Sequence, residues 1–331
     1  MRSNRLQKVA AVLVLAAVAT MGAFAAPKYP SKTVTFVAPS GAGGAFDMAL
    51  RAITKALVDT KLVDQQMLVE AKPGGGGSVF LAEYVVKDVK NDYKLFLTSP
   101  TMLINNLKKE GNSPFTYKNV TPLAQFFVDY AVIAVPANSK YKDIKSLFAD
   151  MKNDPSKLSV VGGSGPGAVD HLAFLLPASK AGVNPQKIKY ISYDGKAEAM
   201  AAILGGNGDV LTSVTASVSE YLEAGKIRVL AVNAPKRLGG VFKDVPTLRE
   251  AGIPADFVIW RGVFGPPQMG AEAKAYWIDA FTKLSKTALW AEELAKRGWD
   301  AEFLAGDDFV KGLEQQNTDL GELLSALGMA K

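Results

Sequence analysis

Three times along the chain an apolar run ends in a glycine-rich turn that opens into an amphipathic segment. Residues 33–39 lead through Gly41-Ala42-Gly43-Gly44 into 46–58, and 66–70 lead through Gly74-Gly75-Gly76-Gly77 into 78–86. Residues 158–161 lead through Gly162-Gly163-Ser164-Gly165-Pro166-Gly167 into 169–181. A strand, turn and helix repeated in this way predicts parallel sheet covered by helices on both faces.

The same alternation places a third strand at 94–98. A second series begins at 131–135 and continues with a helix at 144–151, the unit at 158–181, a strand at 189–191 and a helix at 196–205. It ends with a strand at 210–212, a helix at 217–224 and a strand at 229–232. Two α/β lobes account for the two series, and 331 residues suit two domains of about 150 each. Residues 257–266 read as another strand, followed by two or three amphipathic helices to Met329. Helices placed there can fold back onto the first lobe, which puts the interlobe connections near 125–130 and 256–262. The expected partition is 26–125 plus 257–331 for lobe 1 and 126–256 for lobe 2.

Composition removes several functions. Hydrophobic residues make up 48% and charged residues 21%, which excludes a disordered chain. There is no Cys and a single His, which excludes disulfide scaffolds, thiol catalysis and Cys/His zinc sites. The net charge is +6, and half of that surplus lies at Arg2, Arg5 and Lys8. The remainder is too dispersed for a nucleic-acid surface. Those three residues precede an apolar run at 9–19 and the triplet Ala23-Phe24-Ala25, the pattern of a secretory signal peptide cleaved after Ala25. The apolar run is shorter than the roughly twenty residues a membrane span needs. With no Cys at the junction a lipid anchor is excluded, and the mature protein is expected to be exported.

Each turn can be read for chemistry. Glycine lets a backbone turn sharply and admits a guest close to its amides. A helix start adds unpaired N–H groups and the positive end of a dipole, so Ser40, Gly41, Ala42, Gly43 and Gly44, with Phe46 and Asp47 beginning the helix, favour an anion. Phe46 stands where a third dinucleotide-binding glycine would be needed, and no Gly-Lys-Ser/Thr follows, so neither common nucleotide loop is present. In the third turn Gly163, Ser164 and Gly165 repeat the arrangement. Pro166 breaks a nucleophile elbow around Ser164, and His171 is expected to shape the loop. Asp194-Gly195 and the polar strand end at Ser99 and Thr101 add amides and hydroxyls. No carboxylate cluster shares a loop, so no metal site is expected, nor any other cofactor. These groups suit a small, oxygen-rich anion. Arg261 is a candidate partner for a second carboxylate, because guanidinium pairs bidentately with that group. Phe46 is a candidate apolar wall.

These residues carry a resemblance. Ala38-Pro39 with Gly43-Gly44 and Asp47, Lys72-Pro73-Gly74-Gly75-Gly76-Gly77, and Val135-Pro136-Ala137-Asn138-Ser139 form its first part. Gly163-Ser164-Gly165 with His171-Leu172, Tyr193-Asp194-Gly195, and Leu204-Gly205-Gly206 follow in order. Gly225-Lys226-Ile227-Arg228-Val229-Leu230-Ala231-Val232, Asp244-Val245-Pro246-Thr247-Leu248 and Trp260-Arg261-Gly262-Val263-Phe264 complete the series. From Tyr29 to about Met269 the chain resembles the periplasmic substrate-binding proteins of tripartite tricarboxylate transporters, the TctC or Bug family.

The resemblance implies a type II-like Venus flytrap, two α/β lobes joined by two crossover strands. It implies capture of a di- or tricarboxylate or related acid between the lobes and delivery to integral membrane transporter subunits, by a monomer without catalysis. One ligand carboxylate would be held by amides and ordered water between Ser40–Gly44 with Asp47 and Gly163–Gly165. Phe46 stands where many relatives carry Trp, and Pro166-Gly167 replace a plainer Ser/Thr run. Two further readings remain at this level. A ligand-sensing adaptor for a sensor kinase would need the same cleft, and an exported hydrolase would need a catalytic pair that is not evident.

Overall fold

The first strand, β1 (Val34–Ala38), reads VTFVA, and all of it but Thr35 is buried. That is the pattern of a strand covered on both faces. The computed structural model describes residues 28–331 apart from Asn112 and Asp256. The expected leader with its expected cleavage after Ala25, and Asp256 at the expected second connection, lie outside the described residues.

After β1, α1 (Ala45–Asp59) buries Ala49, Leu50, Ile53 and Leu57, one stripe at helical spacing. Edge strand β2 (Met67–Ala71), helix α2 (Ser78–Lys87), strand β3 (Lys94–Thr98) and helix α3 (Thr101–Leu107) follow. Both β2 and β3 run parallel to β1. The sequence reading did not anticipate α3. Its seven residues, TMLINNL, are too few to show a period, and Pro100 before them reads as a turn.

β4 (Thr121–Pro136) then runs unbroken for 16 residues, with Leu123 to Val135 buried. The expected strand at 131–135 is only its second half, and the expected connection at 125–130 is itself strand. The polar residues that look like a break are each paired in place. Gln125 Nε2 donates to Glu302 O at 2.9 Å, and Asp129 Oδ1 accepts from Thr215 Oγ1 at 2.9 Å. Buried polar groups with partners do not interrupt a strand.

Helix α4 (Ile144–Asn153), strand β5 (Ser159–Gly162), helix α5 (Val169–Lys180), strand β6 (Lys189–Ser192) and helix α6 (Lys196–Leu204) form the second series. It continues through β7 (Val210–Val214), α7 (Thr215–Glu223) and β8 (Ile227–Val232) to β9 (Val258–Gly265). Three helices and a short strand close the chain: α8 (Ala271–Ser285), α9 (Ala288–Arg297), β10 (Leu304–Ala305) and α10 (Asp307–Ala326).

β5 pairs in parallel with β6 and β7. The sheet order is β2-β1-β3-β9-β4-β7-β5-β6, with β8 and β10 also on β4. The sheet is therefore mixed, where parallel sheet was expected. The strand–helix–strand units are parallel, while β9 and β4 run antiparallel to their neighbours because they carry the chain between the two halves. Residues Thr121 to Tyr130 of β4 pair with β9, and Ala131 to Pro136 pair with β7 and β8. One long strand is thus shared by both halves, with β9 beside it.

The last helices return to the first half. Trp277, Phe281 and Trp290 pack with Phe36, Leu50 and Phe126. Trp277 also donates to Tyr29 OH at 2.6 Å. Each large side chain buried this way contributes about 1.5–3 kcal/mol.

Candidate functional site

At the end of β1 the chain turns through Ser40-Gly41-Ala42-Gly43-Gly44, and Gly44 caps α1 with no side-chain hydrogen bond. The first bond into the helix is Met48 N to Gly44 O, 2.9 Å. The amides of Ala45, Phe46 and Asp47 therefore have no partner within it. Asp47, 2% exposed, accepts from Gly43 N and from Arg51 Nε, both at 2.9 Å and both on Oδ2. The Arg51 hydrogen bond holds this carboxyl below its usual range. Its other oxygen, Oδ1, is buried without a hydrogen-bond partner. Gly44 N donates back to Gly41 O at 3.0 Å. Gly43 and Gly44 thus use their amides inside the turn, and the donors left for a guest lie one residue further on, at the helix start. A side chain on Gly44 would put its Cβ 2.9 Å from Gly41 O and 3.0 Å from Ser40 Oγ.

The second glycine turn is pinned from beneath. Asn105 Nδ2, on α3, reaches Gly76 O at 3.3 Å and Ser78 Oγ at 2.9 Å. Gly74 to Gly77 all have positive φ, which explains four consecutive glycines. Thr101 lies beside this turn, its Cγ2 3.5 Å from the Cβ position of Gly76, and its hydroxyl shares a 2.9 Å hydrogen bond with Ser99. Ser99 and Thr101 thus group with the second turn. Sequence reasoning missed Asn105, a polar residue within a helix it did not expect.

In the third turn almost every polar group has a partner. Asp170 Oδ2 accepts from Gly163 N at 3.1 Å, Asp170 Oδ1 accepts from Lys196 Nζ at 3.0 Å, and Asp170 N donates to Ser164 Oγ at 3.0 Å. Tyr190 OH donates to Ser164 O at 2.7 Å, and Thr212 Oγ1 donates to Asp170 O at 2.9 Å. His171 Nδ1 accepts from Gly167 N at 2.9 Å while its ring stacks on Tyr190, centroids 4.1 Å apart. Burial lowers its pKa to about 4, so the ring is neutral and its Nδ1 is already occupied. Gly163 admits no side chain, because a Cβ there would lie 2.6 Å from Gly195 C and Lys196 N. The third turn and the Asp194-Gly195 segment therefore touch backbone to backbone. Asp194 itself is exposed.

Arg261 stands between the first and third turns. It is 7% exposed, lies on β9, and its guanidinium carbon is 5.7 Å from the centroid of the Phe46 ring. A cation over an aromatic face is attracted to it. Burial lowers the guanidinium pKa, opposed by the charges of Asp129 and Asp170. Burial raises that of Asp129, opposed by Arg261, then Lys196 and the hydrogen bond from Thr215. The register explains the encounter. Phe127 pairs with Arg261, so Asp129, two residues on, falls on the same face. Arg261 makes one hydrogen bond among those described, Nη1 to its neighbour Trp260 O at 3.3 Å. A buried guanidinium with five donors and so weak a partner suits an incoming acceptor.

Sequence reasoning singled out Arg261, Phe46, Asp47 and the third turn, and it missed Asp129, Asp170, Lys196 and Tyr190. Asp170 left a signal, since like Asp47 it opens a helix that follows a glycine turn. Asp129 left only its isolation in an apolar run.

Among the described residues no group of three or more His, Cys, Asp or Glu is placed to hold a metal ion. No helix among them is long and apolar enough to cross a membrane.

A Cupriavidus necator protein of the UPF0065 group is 28% identical over 326 residues, 96% of each chain. The crystal structure of a TctC solute-binding protein from Polaromonas has 27% identity and a TM-score of 0.74, covering 90% of this chain and 99% of that one. Two Rhodopseudomonas palustris structures share the fold. One holds adipate (24% identity, TM-score 0.76, 92% and 99% covered), and one holds malate (21%, 0.72, 89% and 100%). The fold is the two-lobed α/β architecture of periplasmic solute-binding proteins. The model of the tripartite tricarboxylate transporter family receptor, TctC, matches residues 50–329. That span takes in the last three helices, beyond the Met269 limit of the motif series, and begins after the first glycine turn. With most of its length matched, the chain belongs to the tripartite tricarboxylate transporter receptor family.

Proposed function

We propose that the protein is a periplasmic receptor that captures a small organic di- or tricarboxylate between its lobes and passes it to the membrane subunits of a tripartite transporter. The leader at residues 1–25 directs export and is removed after Ala25, and the mature receptor works as a monomer without turning its ligand over. Lobe 1 comprises 26–125 and 257–331, and lobe 2 comprises 126–256. One carboxylate meets the first turn (Ser40, Gly41, Ala42, Gly43, Gly44 and the helix start at Phe46 and Asp47) and the third turn (Gly163, Ser164, Gly165). Asp194, Gly195, Ser99 and Thr101 border the same cleft. Arg261 takes the second carboxylate.

The observation that carries this reading is the position of Arg261, buried over Phe46 on one side and within electrostatic reach of Asp170 on the other. Charge-assisted hydrogen bonds of this kind are worth about 1.5–3 kcal/mol each. The structures holding adipate and malate support an organic acid as the ligand class.

A thermal-shift screen over mono-, di- and tricarboxylates, with neutral sugars alongside, tests it. At a hundredfold excess over Kd a true ligand adds about 2.7 kcal/mol of stability. Dicarboxylates raising the melting temperature more than monocarboxylates is the expected result. Shifts by sugars alone would contradict it.

A further inference from the structure

Behind the crossover strands a cavity of about 700 Å³ opens between α5 and α10. Small-molecule sites occupy about 300–1,000 Å³. Trp260 lines this cavity, while its neighbour Arg261 projects from the opposite face of β9, so this space is separate from the cleft between the turns. Phe257 and Phe309 extend the aromatic wall. The ionisable residues in the lining are Glu302, Asp319 and Glu322 against one cation, Lys180. Aromatic faces and an excess of carboxylates both attract a cation and repel an anion.

Two elements reach from this cavity to the proposed acid site. α5 carries Asp170 and His171 in the third turn at its start, and Leu176, Ser179 and Lys180 in the cavity wall near its end. β9 offers Trp260 to one side and Arg261 to the other. An occupant touching both α5 and α10 binds best when those helices face each other as they do here, and so favours this arrangement of the lobes.

We propose that this cavity is a second binding site, for an organic cation with an apolar body, and that filling it strengthens capture of the acid. The coupling rests on the reading given above; the binding of the cation does not.

Calorimetric titration of the mature protein with phenethylamine tests the site, with 2-phenylethanol as the uncharged counterpart. Saturable 1:1 binding of the amine, at least about tenfold tighter than the alcohol, is the expected result. Gly312→Phe fills the space. Gly312 is an exposed position in α10, and a Cβ there meets only Leu304 Cδ1, at an ordinary 3.5 Å. It should weaken the amine at least about tenfold, and Glu302→Gln paired with Glu322→Gln should do so without altering shape. No binding, equal binding of the alcohol, or an affinity unchanged in both variants would overturn the site. With amine saturating, the best carboxylate should bind about fivefold tighter or more. An unchanged acid affinity would overturn the coupling, and because the acid is also titrated alone, failure of the acid reading shows up separately.

Discussion

In the first turn Asp47 accepts from Gly43 N and from Arg51, a residue of its own helix whose side chain is 56% exposed. In the third turn Asp170 plays the same part for Gly163 N, but its cation comes from α6, a further hydroxyl from β7, and Tyr190 of β6 holds the loop from below. One turn is braced from within its own helix and the other by three neighbouring elements. On the proposed reading the difference gives them different work: the third turn would present a fixed half of the cleft, while the first leaves helix-start amides and one oxygen of Asp47 without protein partners.

The sharpest way to break that comparison is Asp170→Ala, which leaves Gly163 N and Lys196 without their acceptor. Leaving a buried donor such as Gly163 N without its acceptor costs about 1–3 kcal/mol, readable by urea denaturation, and a loss below about 1 kcal/mol would show the bracing to be incidental.

His171 gives a pH signature found only in the third turn. Its ring resists protonation until about pH 4 in the fold, against an ordinary value of 6.5 in the unfolded chain. Between those values the unfolded state holds more protons on this ring, so the His171 contribution to stability falls as pH drops from 6.5 to 4, by roughly 3 kcal/mol, opposed by Asp300, whose carboxyl burial raises to about 6. His171→Gln should remove this contribution and change the slope of the stability–pH curve between pH 4 and 6.5; an unaltered slope would assign it to other groups.

Gly43 has φ +75° with open space around its Cβ position, so Gly43→Ala tests backbone strain alone and should cost about 1 kcal/mol. Smallest of all is Arg51→Ala. Its guanidinium is more than half exposed and Gly43 N stays on the buried Asp47 carboxylate, so the loss should be below about 1 kcal/mol, in contrast to the loss of Asp170. A clear destabilisation would mean the first turn is braced as firmly as the third.

Much of this was legible in the chain. Apolar runs and glycine turns mark the strands β1, β3 and β5 and the helices after the turns, because local period and turn chemistry decide them. Arg261 stood out as a lone cation in FVIWRGVFGP. Its surroundings were not legible, since Asp129 reaches it only through the register of β4 on β9, which shifts at two irregular points. Asp170 meets Lys196 across 26 residues for the same reason: the parallel pairing of β5 and β6 brings the two helix starts together. The unbroken length of β4 was hidden because Gln125 and Asp129 find their partners, Glu302 and Thr215, far along the chain.

The most direct measurement is a crystal structure with the tightest-binding dicarboxylate. One carboxylate should lie within hydrogen-bond distance, about 2.7–3.2 Å, of amides at the start of α1 and of the third turn, with Arg261 on the other. An acid lodged away from these turns, or one that Arg261 does not touch, would contradict the account.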